Sequence, residues 1–492
     1  MHNTMNYKTL RIVALGSMAM ATLPPAVAQE NIVPMMRELP QRMELNPAMH
    51  SEHGHKFLRV PVLGGFETSV ENSGFAYGDL FSWGIDDSLH FDLGRLHDNM
   101  RERNLTSVNV DIPLLGFGWK MGESHYGSIV ISNKTRSELA FDKSLTKLRH
   151  GNWDYDNDCP VDQEVSDIFF RAVNYLEVAL GYSNETFLDG KVRIGGRVKL
   201  LAGVASVQSD DLEVDFKTIR EQDRYRVEIS SKGSLVTSMP LEVTLDEDGY
   251  VDNVEFDDES CDYDAIGNPG IAFDLGVTVS PNDYWTFGLS AIDLGFIKWR
   301  TDCHKFKAGA SVTMRGVDMS NDIKGGMTGT YNYNNEYWDA LSDSIWKFTD
   351  LTLEDVGYKT RLSSRLIASA EFKMPSAQWL SFGSVVSTKF ADGQAYTRGS
   401  VSARLHPARW FSLVGSMALN PGARLSPGVG LSLQSKCFQF FIIADRCTAK
   451  ISTSTGAAVA WGINFFPGNR KRLKALAAAA EMPAEEESGV ED

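Results

Sequence analysis

His50, His53 and His55 fall within six residues, around Ser51, Glu52 and Gly54. Imidazoles at that spacing can share a metal ion. No cysteine pair or zinc-type motif accompanies them, so the segment reads as a solvated histidine-rich loop and no metal site is expected. Asp154, Asp156 and Asp158 alternate as a calcium-binding loop would begin. Such a loop needs glycine at its sixth position and glutamate at its twelfth; Cys159 and Val165 stand there, so calcium is not expected either. Lys191, Arg193, Arg197 and Lys199 alternate along one side of a stretch, aiming basic groups one way. That chemistry suits anions. No nucleophile elbow, paired-carboxylate motif or zinc signature is present. The expectation is no enzyme, no catalytic residue and no cofactor.

What positions such side chains is extended chain. The clearest case runs from Ile271 to Trp299. Ile271, Phe273, Leu275, Val277 and Val279 point one way; Ala272, Asp274, Gly276 and Thr278 point the other. After a turn at 280–283, Trp285, Phe287, Leu289 and Ala291 alternate with Thr286, Gly288 and Ser290. This is a long hairpin with one apolar face and one small or polar face. In a soluble sandwich the apolar face is core. In an outer-membrane barrel it faces lipid, with aromatic residues at its ends.

A chain of 492 residues suffices for one large barrel or several soluble domains. Residues 1–28 read as a cleaved secretory signal: Lys8 and Arg11, an apolar run from Ile12 to Leu23, then Ala26-Val27-Ala28. No later stretch has the ~18 consecutive apolar residues of a spanning helix. A formal net charge of −16 argues against nucleic acid as a partner. Five cysteines are too few for a disulfide scaffold. Cys159 and Cys261 sit in acidic loops and could pair. Cys437 and Cys447 bracket one predicted strand, ~33 Å of extended chain, and should not bond.

Residues 29–104 read as an N-terminal plug or periplasmic segment, with helical character from Leu93 to Arg103. Strands begin at Leu105, where Pro113 demands a bulge or a strand-end adjustment. Thr135 to Arg149 reads as mixed, with helical character. Residues 209–264 break the pattern and read as an extramembrane insertion, a small β subdomain. Lys305 to Arg315 reads as a strand with Phe306, Ala308, Ala310, Val312 and Met314 outward. A long loop, 316–358, holds a predicted helix from Trp338 to Phe348. Tightly connected strands then run to Phe466, with Phe465 outward and Phe466 as the closing aromatic. Residues 467–492 read as a disordered or helical tail. From Leu105 the count is fourteen strands, so the predicted fold is all-β: an antiparallel transmembrane barrel of about 14 strands, with a plug-like segment and short helices in loops. Strand parity puts 209–264 and 316–358 at opposite ends. A soluble antiparallel sandwich array is the alternative.

Three segments carry a resemblance: Leu45-Asn46-Pro47-Ala48, Val60-Pro61-Val62-Leu63-Gly64-Gly65, and Asp293-Leu294-Gly295-Phe296-Ile297-Lys298-Trp299. They resemble a Bacteroidota family of secreted outer-membrane β-barrels of unknown function. More distantly, the chain is similar to long-chain fatty-acid transporter barrels and to barrel subunits of type IX secretion. The resemblance implies a barrel in the cell outer membrane and brings no catalytic residues with it.

In a barrel the charged side of each strand must line the lumen, because a lysine or arginine facing lipid at the midplane costs about 2–4 kcal/mol. The inward basic residues are then Arg193, Arg197, Lys199, Lys305, Lys307, Arg315, Arg361, Arg365, Arg398 and Arg404. Glu177, Asp274 and Glu371 stand against them. A net positive lumen would favour small anionic or amphiphilic solutes. The competing reading is structural, with these charges paired to each other or to a plug from residues 29–80. The expected function is therefore a channel or transporter. The alternative is a structural or partner-binding barrel serving a secretion or outer-membrane assembly. Expected partners are outer-membrane lipid and either a small solute or a secretion-system component.

Overall fold

The structure, a computed structural model, describes residues 30–468 apart from 53–54, 84–88, 92, 144–152, 155–158, 161–162, 166–167, 222–223, 246–250, 257–266, 316–351, 355, 421–423 and 446–455. The predicted signal, the helix predicted at 338–348, the centre of the acidic loop, His53, Cys261, Cys447 and the tail beyond 468 lie outside the described residues.

The strands of the barrel wall and its extension are β1 (Lys56–Arg59), β2 (Phe66–Asn72), β3 (Arg103–Met121), β4 (His125–Asp142), β5 (Phe169–Phe187), β6 (Val192–Glu221), β7 (Arg224–Ser238), β8 (Pro269–Val279) and β9 (Trp285–Trp299). They continue as β10 (Cys303–Arg315), β11 (Tyr358–Arg361), β12 (Arg365–Lys373), β13 (Leu380–Ala391), β14 (Gln394–Ala408), β15 (Phe411–Asn420), β16 (Arg424–Gln434), β17 (Phe438–Asp445) and β18 (Gly456–Phe465). Neighbours pair antiparallel from β3 to β6, β6 pairs β8, and the order then continues through β9 and β12 to β18. β1 and β2 share one lane between β18 and β3 and close the ring, through Leu58↔Phe465 and Glu67↔Ala460 on one side and Glu67↔Asp111 on the other. β11 and β12 share another lane beside β9. Among the described residues this is a closed barrel of fourteen antiparallel lanes. Closure leaves no unpaired edge in the ring.

The expected number is right, but two of its members are wrong in ways that cancel. Residues 56–72, expected in the plug, are a wall lane. Val60 to Gly65 is the kink between β1 and β2: Val62 takes φ 68°, and Gly64 N–H donates to Val60 O at 2.7 Å. The stretch 305–315, expected in the wall, lies outside the ring. β10 pairs with β7, and β7 pairs with the far half of β6, a strand of 30 residues that overshoots β8. Phe306 is buried rather than outward. The parity also changes. The far half of β6 and β10 extend from the same end of the barrel, whereas strand parity put 209–264 and 316–358 at opposite ends. Residues 135–142, expected to have helical character, continue β4.

Local chemistry explains two irregularities. Pro113 lacks the N–H a ladder needs, and the β3–β4 register slips between Pro113 and Leu115 as expected. Within the Asp293–Trp299 motif, Asp293 takes φ 60°, and the β8–β9 register slips between Phe273 and Leu275. That bulge reverses the alternation. Phe287 and Leu289 before it are exposed outward, whereas Ile297 and Trp299 beyond it are fully buried. Trp299 Nε1 donates to Thr360 Oγ1 at 2.9 Å. A Cβ on Gly295 would overlap Ile271 O, so the motif's glycine is needed for close approach.

The outer surface is apolar, with Val198, Leu200, Phe273, Leu275, Val386, Val401, Leu425 and Val429 exposed around the ring. Tyr182, Tyr284, Trp285, Trp379 and Trp410 cluster outward at the rim of short turns. Phe466 is not part of that girdle. It turns inward and packs with Met43, Phe57 and Tyr126.

Candidate functional site

The small faces noticed in the hairpin form a seat. Gly195 pairs with Gly276 across β6 and β8, and Gly288 follows on β9. A Cβ on Gly195 would overlap the Pro47 carbonyl, and one on Gly276 would overlap Asn46 Oδ1. Leu45-Asn46-Pro47-Ala48 therefore lies flush against wall backbone. Asn46 Nδ2 donates to Val277 O at 3.3 Å and Leu289 O at 3.4 Å, and Ser290 Oγ donates to Leu45 O at 2.6 Å.

The rest of residues 30–52 is fastened from inside. Arg37 pairs with Glu371 at 2.9 Å, Glu38 with Arg404 at 3.0 Å and Glu44 with Arg59 at 2.6 Å. Asn31 Nδ2 donates to Asp445 Oδ2 at 2.5 Å. Ile32, Met35, Met36 and Leu39 form one apolar cluster with Ile292, Ile367, Val385, Val414 and Phe441 of the wall. A segment held by both apolar burial and buried ion pairs does not fluctuate freely.

Beside the seat, toward the long-loop end, is a belt of buried charge. Lys199 Nζ lies 2.6 Å from Asp293 Oδ1, 2.8 Å from Asp274 Oδ1 and 3.8 Å from Glu177. Arg197 lies 3.4 Å from Asp274 and 3.6 Å from Glu177, and Lys134 lies 3.1 Å from Glu177. Asp293 also takes Arg365 at 3.0 Å, and its N–H donates to Asp274 Oδ1 at 2.8 Å. The αL bulge thus turns one carboxylate toward two cations.

Above the belt is a cavity of about 70 Å³, room for about five waters. Six carboxylates line it: Glu30, Glu67, Glu71, Asp111, Glu138 and Asp293. So do six basic groups: Arg136, Arg171, Arg361, Arg365, Lys389 and Arg398. Asp111 is held by Arg136, through Nη2 at 2.9 Å. Glu138 takes Arg171 and, at 2.7 Å, Lys389. Glu71 takes Arg398 at 2.5 Å, and Glu30 takes Arg365 at 2.5 Å. Among the described residues, Glu67 and the Arg361 side chain have no such partner.

The predicted site residues therefore separate. Glu177, Arg197, Lys199 and Asp274 meet in the belt. Arg365, Arg398, Arg404 and Glu371 grip the N-terminal segment or its neighbours. Arg193 sits near the short-turn rim, 2.7 Å from Glu185, with Nη1 donating to Ala48 O at 3.3 Å. Arg361 borders the cavity. Lys305 and Lys307 do not line the lumen, because β10, the strand that also carries Arg315, is outside the ring. Lys305 pairs instead with Asp210 at 2.8 Å. The expected positive excess is also absent: Asp111, Glu138, Asp293 and the N-terminal glutamates balance the basic groups. Asp111 already stood on the polar side of its strand's alternation. Glu67 and Glu71 share the polar face of FETSVEN, a period-2 signal within the segment expected to plug.

The histidine group is dispersed in role. His50 stacks on Tyr126 with ring centroids 4.7 Å apart. Among the described residues no group of three potential ligands gathers. Burial, then Arg193, Lys120 and Arg42, holds the His50 imidazole down to about 3. Its neutral form therefore stabilises the fold fully above the ordinary pKa of about 6.5, and the contribution is lost as pH falls toward 3. His50→Gln should flatten the pH dependence of unfolding between those limits. Denaturant titrations across that range check it, and an unchanged slope would exclude the residue as the cause. Cys303 is buried, its Sγ donating to Thr301 O at 3.4 Å, and Cys437 is exposed.

The family that matches this chain, over residues 47–445, is described as a family of unknown function (DUF5723). No curated protein matches it. Among solved structures it is similar to the Ralstonia pickettii toluene transporter TbuX, with TM-score 0.39 and 10% identity over 87% of this chain and 93% of that one. It is similar to the Pseudomonas putida toluene transporter TodX, with TM-score 0.37 and 8% identity over 89% and 95%. A Pseudomonas aeruginosa FadL homologue gives 0.35 and 9% over 89% and 97%.

Proposed function

We infer the function of this chain from its interior, because it belongs to the DUF5723 family, whose description assigns no activity. The reading is an outer-membrane barrel transporter for a small polar solute, closed at rest by residues 30–52. The observation that carries it is the pairing of an apolar exterior with a charged internal chamber. An exterior of that extent is a surface for acyl chains, since soluble monomers expose apolar patches of only a few hundred Å². Twelve of the seventeen residues lining the small chamber are charged, which favours a polar solute over an alkyl chain. The short-turn rim, with its aromatic girdle, matches the periplasmic side of such barrels.

Passage requires the N-terminal segment to move. Proteoliposomes containing the full chain should admit labelled amino acids slowly. Arg404→Gln, which releases Glu38, should raise that flux several-fold while the folded band in unheated detergent gels persists. Zero flux from both proteins would remove the transport reading and favour a partner-binding barrel.

A further inference from the structure

We propose that Glu67 is the receptor for a compact cationic group, a primary ammonium, on a solute held in the chamber. The inference rests on the transporter reading for the solute's entry, but not for its binding. Glu67 stands on β2, only 7% exposed, with its side chain on the cavity wall. The basic groups that face it are engaged elsewhere: Arg59 with Glu44 at 2.6 Å and Lys134 with Glu177 at 3.1 Å. The residue opposite in register, Asp111, is itself a carboxylate and is held by Arg136. Glu67 is thus the carboxyl of its neighbourhood that no cation of the chain holds.

The other unpaired lining group, Arg361, is exposed, so water satisfies it. Glu67 is only 7% exposed and meets solvent only through the cavity. A buried carboxyl without a cation is costly to ionise, and an incoming cation favours its charged form. An ammonium meets the carboxylate through a charge-assisted hydrogen bond. The cavity of about 70 Å³ admits a –CH2–NH3⁺ group. Nothing else along the wall offers an unengaged carboxylate among the described residues lining this cavity.

Calorimetry on the full chain in detergent micelles tests this with three probes of one size. Ethanolamine should bind saturably; ethylene glycol and glycolate should not. Glu67→Gln keeps the shape and removes the charge, and should weaken ethanolamine binding by about tenfold or more. Arg361→Gln should leave it intact. Folding of each variant is read from heat-modifiable gel migration, and Glu67→Asp serves as a partial rescue. Ethanolamine binding no better than ethylene glycol, or equal in Glu67→Gln, would overturn the proposal. Binding without flux in proteoliposomes would instead sink the transport reading and leave the site standing.

Discussion

Glu177→Ala is expected to destabilise the barrel by about 3–5 kcal/mol, the range for removing one partner of a buried ionic group. Its carboxylate is fully buried, with Lys134, Arg197 and Lys199 all within 3.8 Å. Truncation leaves three cations facing Asp274, Asp293 and, 4.0 Å from Lys134, Asp111. Uncompensated positive charge in a low-dielectric interior has no cheap outlet, and long-range water access is blocked by the N-terminal segment on one side. Glu177→Gln should cost nearly as much, because it keeps the volume and removes the charge. Urea unfolding followed by tryptophan fluorescence reads the effect. A loss below about 1 kcal/mol would mean that the belt is solvated and behaves like surface pairs.

The second large effect is expected from one added side chain. Gly276→Leu places carbon where Asn46 Oδ1 and Pro47 Cδ now lie; a Cβ alone would come within 2.9 Å of Pro47 Cδ. The wall tolerates leucine in a strand, so ring closure should survive. What yields is the seat of Leu45-Asn46-Pro47-Ala48, and with it the fastening of the N-terminal segment. Conductance in planar bilayers should rise well above that of the unaltered chain. Gly399→Leu is the control, since a Cβ there meets nothing within 4 Å. Equal conductance in all three proteins would show that residues 30–52 do not close the pore.

Both predictions involve residues whose places were only half visible in the amino-acid sequence. The period of two along Ile271–Val279 and Trp285–Ala291 was enough to assign each side chain to a face. Lys199 and Asp274 could be aimed inward for that reason, and so could Gly276. What Lys199 meets could not be known, because its closest partner is 94 residues away in the chain. The Asp293 bulge reversed the alternation at the end of the same hairpin, and no local rule announced it beyond the Asp-Leu-Gly run itself.

Periodicity by itself determined the face of each residue, and so the apolar exterior, the polar interior and the demand for a bulge at Pro113. These are properties of neighbouring residues along one strand, set by the pleat. Ring membership, the balance of interior charge and the surplus at Glu67 depend on which distant strands lie side by side. Only the closed tertiary structure decided those, since closure brings β2 against β3 and β18 and leaves β10 outside.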